Sequence, residues 1–156
     1  MLYVFDTNSM RVLGHYYPKR FPTFWQRFSE AVAGGSVLSV REVYNELQFQ
    51  VTEDWYRDWI EDHKTMFVVP AAEEAQFVAQ IFTVGHFRIM VGEKQRLKGQ
   101  PVADPFLIAC AHARGGVVVS EEQEKPNAAK VPNVCKHFGV PCTNVAGFLE
   151  AVGWEF

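Results

Sequence analysis

Acids stand at four places in this sequence where a buried segment gives way to a turn or a helix. Asp6 closes the run Leu2-Tyr3-Val4-Phe5 and is followed by Thr7-Asn8. Asp104-Pro105 opens the apolar stretch that begins at Phe106, Ser120-Glu121-Glu122 follows Val117-Val118-Val119, and Glu46 lies in a helical pattern just beyond Ser36-Val37-Leu38-Ser39. Carboxylates gathered at one point repel each other, so such a group either takes up protons or binds a hard cation. Ligands that are all oxygen favour Mg²⁺ or Mn²⁺ over zinc, and Mg²⁺ keeps waters and shares its coordination with phosphates. A cation held in this way lowers the pKa of an attacking water and neutralises charge developing on a phosphate, which points to phosphodiester chemistry.

The same acids also have ordinary structural work available. Asp-Thr-Asn suits a turn or a helix cap at Asp6, and Asp104 before Pro105 reads as an N-cap followed by proline at the first helical position. Ser39-Val40-Arg41-Glu42 reads as a capping box that employs Glu42 at the helix start, while Glu46, one turn on along the same face, has no local task. The competing expectation for Glu46 is a solvated surface charge.

The elements that must position these residues alternate between strands and helices. Leu2 to Phe5 and Val117 to Val119 are uninterrupted apolar runs, expected as strands buried on both faces. Ser36 to Ser39, Met66 to Pro70 and Gly139 to Cys142 are expected as shorter strands. Ser9 to Leu13 predicts a short helix before Gly14, and His15 to Pro22 a proline-bounded connection. Thr23-x-x-Gln26 predicts a capping box for a helix ending at Gly34-Gly35. Further helices are expected from Thr52-Glu53-Asp54 to near His63, from Glu73 to Val84, from Asp104 to Gly115, from Val131 to Phe138 with Lys130, Lys136 and His137 exposed, and after an Asn144 cap. Strands separated by helices predict a parallel sheet covered on both sides, an α/β three-layer fold in which the ends of the first and fourth strands share one edge. Ligands collect at that edge of an open parallel sheet.

The totals bound the function. A chain of 156 residues is expected to be a single domain, 1–156, large enough for a sizeable core. With 15 Lys and Arg against 18 Asp and Glu, no global basic field attracts nucleic acid. Any such binding must be local, and Lys94, Arg96 and Lys98 form the densest positive cluster, a candidate RNA contact that a solvated helix end would also explain. Tyr16, Tyr17, Phe21 and Trp25 read either as core or as a dimer or partner surface, with core packing expected. The cysteines Cys110, Cys135 and Cys142 lack C-x-x-C spacing, so buried thiols are expected rather than a disulfide or zinc site. No membrane-spanning run and no signal peptide are evident, which predicts a cytoplasmic location. The sequence contains no G-x-G-x-x-G, P-loop, H-E-x-x-H or G-x-S-x-G, and its histidines are scattered. A phosphatase of the haloacid-dehalogenase kind would need a second Asp two residues after Asp6, where Asn8 stands.

Phe5-Asp6-Thr7-Asn8, Glu42-Val43-x-x-Glu46-Leu47, Ala103-Asp104-Pro105-Phe106-Leu107-Ile108-Ala109 and Val118-Val119-Ser120-Glu121-Glu122 resemble, in order and over nearly the whole chain, the PIN domain superfamily, and within it a PIN-like subgroup of uncharacterised prokaryotic proteins related to VapC-type toxin ribonucleases. The resemblance implies a metal-dependent endoribonuclease using Mg²⁺ or Mn²⁺, frequent homodimerisation, and often a cognate antitoxin. It puts Asp6, Glu46 and Asp104 on the three central acids and Asn8 and Ser120 on accompanying polar positions. The fourth acid departs from the pattern: Glu122 stands where relatives commonly have Asp or Asn, with Glu121 adjacent, and the choice between them stays open. Pro105 stands where many relatives have Ala, which suits a helix start. The alternative reading is a non-catalytic binding protein that kept the fold and uses its carboxylates structurally.

Overall fold

Five parallel strands form one sheet in the order β3-β2-β1-β4-β5, as described by a computed structural model covering residues 1–90 and 103–156. The strands are β1 (Tyr3–Phe5), β2 (Val37–Val40), β3 (Phe67–Val68), β4 (Val117–Val119) and β5 (Cys142–Thr143). Eight α-helices flank them among the described residues: α1 (Thr7–Leu13), α2 (Pro22–Ala33), α3 (Arg41–Gln50), α4 (Asp54–Asp62), α5 (Ala72–Ile81), α6 (Asp104–Arg114), α7 (Val131–Phe138) and α8 (Val145–Val152). Short 3₁₀ turns cover Lys64–Met66 and Gly85–Met90. The chain runs outward through β2 and β3, then returns to the other side of β1 for β4 and β5. The seam where Tyr3 to Phe5 pair in register with Val117 to Val119 is therefore the point at which the winding reverses.

The register follows from side-chain alternation. Tyr3 and Phe5 share one face, where both meet Phe148 of α8 edge-on at 4.9 and 5.0 Å and Phe5 meets Phe28 of α2 at 5.4 Å. A slip of one residue would turn both rings away from those partners. The apolar α6 runs across β1, β2 and β4 with α5 packed beside it. Its residues Leu107 to Ala111 are buried and it closes on Gly115, whose φ of 67° is one that glycine adopts without strain.

Helix starts differ most from expectation. Pro22, not Thr23, begins α2, so Thr23 lies inside the first turn, and no side chain caps the helix. Proline at this position has its φ pre-set for a helix and lacks a donor that would go unused. The expected box at Ser39 does not form because the Ser39 hydroxyl, inside β2, donates across the sheet to the Phe5 carbonyl at 2.6 Å. Glu42 instead pairs with Arg41 at 2.8 Å and is buried with its Oε2 unpartnered among the described residues. The helix expected from Thr52 begins at Asp54, and α5 stops at Ile81, three residues short of Val84. Asn144 does cap α8, accepting from the Gly147 N–H at 2.8 Å.

Trp25 is buried and Tyr16 packs against Phe24, as core packing requires, but Tyr17 and Phe21 are 55% and 36% exposed, against the expectation of core. Cys142 is half-buried rather than buried. No helix among the described residues is long and apolar enough to cross a membrane.

Candidate functional site

Asp6 leaves the C-terminal end of β1 directly into α1. Its backbone N–H donates to the Val119 carbonyl at 3.0 Å, extending the β1–β4 pairing by one rung, and its carboxylate accepts from the Ser9 N–H at 2.7 Å as the cap of α1. The Ser9 hydroxyl locks this corner, donating to the carbonyls of Val119 (2.8 Å) and Asp6 (3.0 Å). From the neighbouring strand end, Ser120 hydrogen-bonds the Asp6 carboxylate while its Oγ accepts from the Glu122 N–H at 3.2 Å. Asp6 thus caps a helix and still faces the β4 end, so its structural and chemical readings are compatible.

Glu46 is half-buried rather than a solvated surface charge. Its Oε2 accepts from the Ala103 N–H at 2.8 Å, the residue before Asp104, and its Oε1 is 3.4 Å from the Thr7 hydroxyl, the residue after Asp6. One side chain of α3 therefore ties the starts of α1 and α6 together. Asp104 does not cap α6: Ala103 holds the cap position, and Asp104 lies in the first turn with Pro105 following. Its carboxylate makes no hydrogen bond among the described residues.

The charges of these acids reach one another. Burial pushes Asp104 up to about 8, with the negative charges of Glu122, Asp6 and Glu46 adding to it and Lys130 opposing. Glu46 is pushed up to about 7, mainly by burial and partly by Asp6. Asp6 is pushed up to about 6 by burial, against its hydrogen bonds to Ser120 and Ser9, with Glu122 adding its charge. No arginine or lysine forms a salt bridge with Asp6, Glu46, Asp104 or Glu122 among the described residues. Glu122 is the fourth acid whose charge reaches Asp6 and Asp104, and its Oε2 accepts from the Val131 N–H at 2.8 Å, at the start of α7. Glu121 turns the other way and accepts from the Val145 N–H of α8 at 2.7 Å.

An all-oxygen donor set, buried at Asp6 and half-buried at Glu46, Asp104 and Glu122, and carrying more negative charge than one nearby lysine offsets, has the chemistry of a hard-cation site. The carboxylates are nevertheless held apart by their backbone partners. Among the described residues no three Asp, Glu, His or Cys side chains are gathered closely enough to hold an ion between them as they stand.

Asn8 is exposed at the rim of the site, beside a cavity of about 430 Å³ that Glu121 also lines. Lys94, Arg96 and Lys98 lie outside the described residues. Two participants were not foreseen. Thr7 was readable only as part of Asp-Thr-Asn, and Lys130, expected to be exposed, is half-buried within reach of Asp104; nothing local in the sequence links those two positions.

Among curated proteins none matches the chain. Among solved structures, the chain is similar to one in the crystal structure of VapBC2 from Rickettsia felis bound to a DNA fragment from their promoter, at 13% identity and a TM-score of 0.52, covering 92% of this chain and 98% of that one. At that identity the likeness concerns the fold, which is a three-layer α/β arrangement of the PIN-like kind. A family model described as a domain of unknown function, DUF4411, matches residues 3–156, and the chain belongs to that family.

Proposed function

We propose that the protein is an endoribonuclease that hydrolyses RNA phosphodiester bonds with Mg²⁺ or Mn²⁺, and that it acts as the toxin of a type II toxin-antitoxin pair. What supports the reading is that the charges of Glu122, Asp6 and Glu46 all reach Asp104, while Asp6, Glu46 and Asp104 are each pushed up chiefly by burial. Asp6, Glu46, Asp104 and Glu122 would hold the cation, directly or through water. The bound ion would supply a more acidic water and charge neutralisation at the phosphate. Ser120 orients Asp6, Thr7 and the Ala103 N–H orient Glu46, and the Val131 N–H orients Glu122, the role that outer hydrogen bonds play around ligating carboxylates. Asn8 and Glu121 are supporting polar groups at the rim. The likeness to a chain of the VapBC2 complex supports an antitoxin as partner; a homodimer belongs to the same reading, and Lys94, Arg96 and Lys98 remain proposed RNA contacts.

The test is Asp6→Asn, because asparagine caps a helix as well as aspartate does and leaves the fold intact. Cleavage of single-stranded RNA in Mn²⁺ is expected to fall at least a hundredfold while the variant still unfolds cooperatively at no lower temperature than the unaltered protein; equal cleavage removes the proposal. A second reading, a non-catalytic binding protein, is favoured by the backbone N–H bonds that already occupy Asp6, Glu46 and Glu122. It requires that Mn²⁺ titration give no heat and no rise in melting temperature.

A further inference from the structure

The cavity beside the acids is polar and leads away from them along α1. Asn8 stands at its near end, Arg11 and His15 follow on the same exposed face of the chain, and Gln50 and Thr52 form the opposite wall. A second cavity of about 450 Å³ lies next to it, lined by Tyr17, Pro18, Lys19, Arg20 and Trp55. The two share a wall, since Tyr56 lines the first and Trp55 the second, and those rings stack with centroids 5.0 Å apart. Tyr17 is 55% exposed with its ring 6.2 Å from that of Trp55.

We infer that these two neighbouring cavities mark the path of a single RNA strand leaving the acids, with phosphate contacts at Arg11 and His15, one base in the apolar second cavity stacked on Tyr17 beside Trp55, and the next phosphates at the exposed Lys19 and Arg20. The inference rests on the phosphodiesterase reading and names the strand's route through it. A groove that tracks the backbone with cations and offers aromatic faces to bases is the general design for unpaired nucleic acid. Arg11, Lys19 and Arg20 have no acid between them in the sequence, so in a chain of net charge −3 this stretch gives a phosphate backbone a local attraction. Of the acids in the first cavity, Glu121 is engaged by the Val145 N–H, whereas Glu53 repels phosphate and so biases the strand towards the α1 side. A duplex does not fit, because its bases are paired and present no face to Tyr17. The second cavity is lined almost wholly by apolar atoms, which suits the face of a base; an apolar anchor of a protein partner would use the same lining, and the salt dependence measured below separates the two.

The experiment measures binding without cleavage, in EDTA, by fluorescence anisotropy of a labelled single-stranded RNA of about ten nucleotides across a salt series. Lys19→Ala with Arg20→Ala is expected to weaken binding at least tenfold and to lower the slope of log K against log salt by about 1.4, since each lost phosphate contact removes about 0.7. Arg11→Ala is expected to lower it by about 0.7. Tyr17→Ala is expected to weaken binding roughly tenfold with the slope unchanged, the signature of stacking. Unchanged affinity and slope in all three variants overturn the inference and leave the surface to a protein partner; duplex RNA bound as tightly as the single strand overturns it as well. Cleavage by the unaltered protein in Mn²⁺, measured alongside, reports separately on the nuclease reading.

Discussion

Asp104 concentrates the chemistry of the site. The charges of three other carboxylates reach it with Lys130 opposing them, and it is raised to about 8, above Glu46 at about 7 and Asp6 at about 6. Asp104 is therefore largely protonated at neutral pH, and a cation bound as proposed would have to displace that proton. Mn²⁺ affinity is expected to rise steeply between pH 6 and pH 8 and binding to release protons, which calorimetry in buffers of different ionisation enthalpy detects; pH-independent binding would place the ion elsewhere. The same shifts set the stability of the metal-free protein. Folded values above the unfolded values of about 4 mean that the native state binds more protons between about pH 4 and pH 8, so their contribution is full below pH 4 and is lost as pH rises through 6 to 8. Melting temperature without metal is expected to fall over that range, and Asp104→Asn to flatten the fall and raise the melting temperature at pH 8 by roughly 2–4 °C for each kcal/mol of repulsion removed. The residue types in this cluster were legible in the chain because Asp6, Asp104 and Glu122 each follow or precede an apolar run. Which of Glu121 and Glu122 has its charge reach Asp104 was not, since adjacent glutamates differ only in which helix start, Val131 or Val145, each one meets.

The strand-to-helix corner is the element on which the site depends. At the end of β1 the chain turns within one residue, and the turn is held by Ser9, whose hydroxyl bonds the carbonyls of both Asp6 and Val119. Ser9→Ala leaves the buried Val119 carbonyl without that donor and is expected to cost about 1–3 kcal/mol in urea unfolding. Because the bond crosses the β1–β4 seam, cleavage should fall as well; a loss of stability with full activity would show that the acids do not rely on this corner. Glu46 plays the equivalent part for α6, through the Ala103 N–H. Capping was the least legible feature at this scale. A capping box is a local pattern, and it lost at Ser39 to a sheet hydrogen bond with Phe5, 34 residues away.

At the scale of the whole molecule, strand order decides which chain ends are neighbours. Parallel strands all point their C-terminal ends to one edge, and placing β1 beside β4 sets Asp6 next to Ser120. The opposite requirement, a rigid sheet behind the site, is met by the aromatic cluster in which Phe28 contacts Phe5, Phe24, Trp25, Trp59 and Phe148. Phe28→Ala removes a fully buried ring from five partners and is expected to cost about 3–5 kcal/mol of stability in urea unfolding. Metal binding at a temperature where the variant remains folded should be unaffected, because the ring lies behind the sheet rather than at its edge.

What the sequence determined by itself was whatever depends on neighbours in the chain: apolar runs that must be buried on both faces, acids at their ends, glycines that stop helices, and alternation that demands a parallel sheet. Only the tertiary structure decided how those ends are tied, because the deciding contacts join distant positions. The Ser9 hydroxyl meets a carbonyl 110 residues on, Glu46 meets an N–H 57 residues on, and the charge of Lys130 reaches Asp104. Such contacts leave no periodic trace in the chain, since each depends on where folding has placed the other partner.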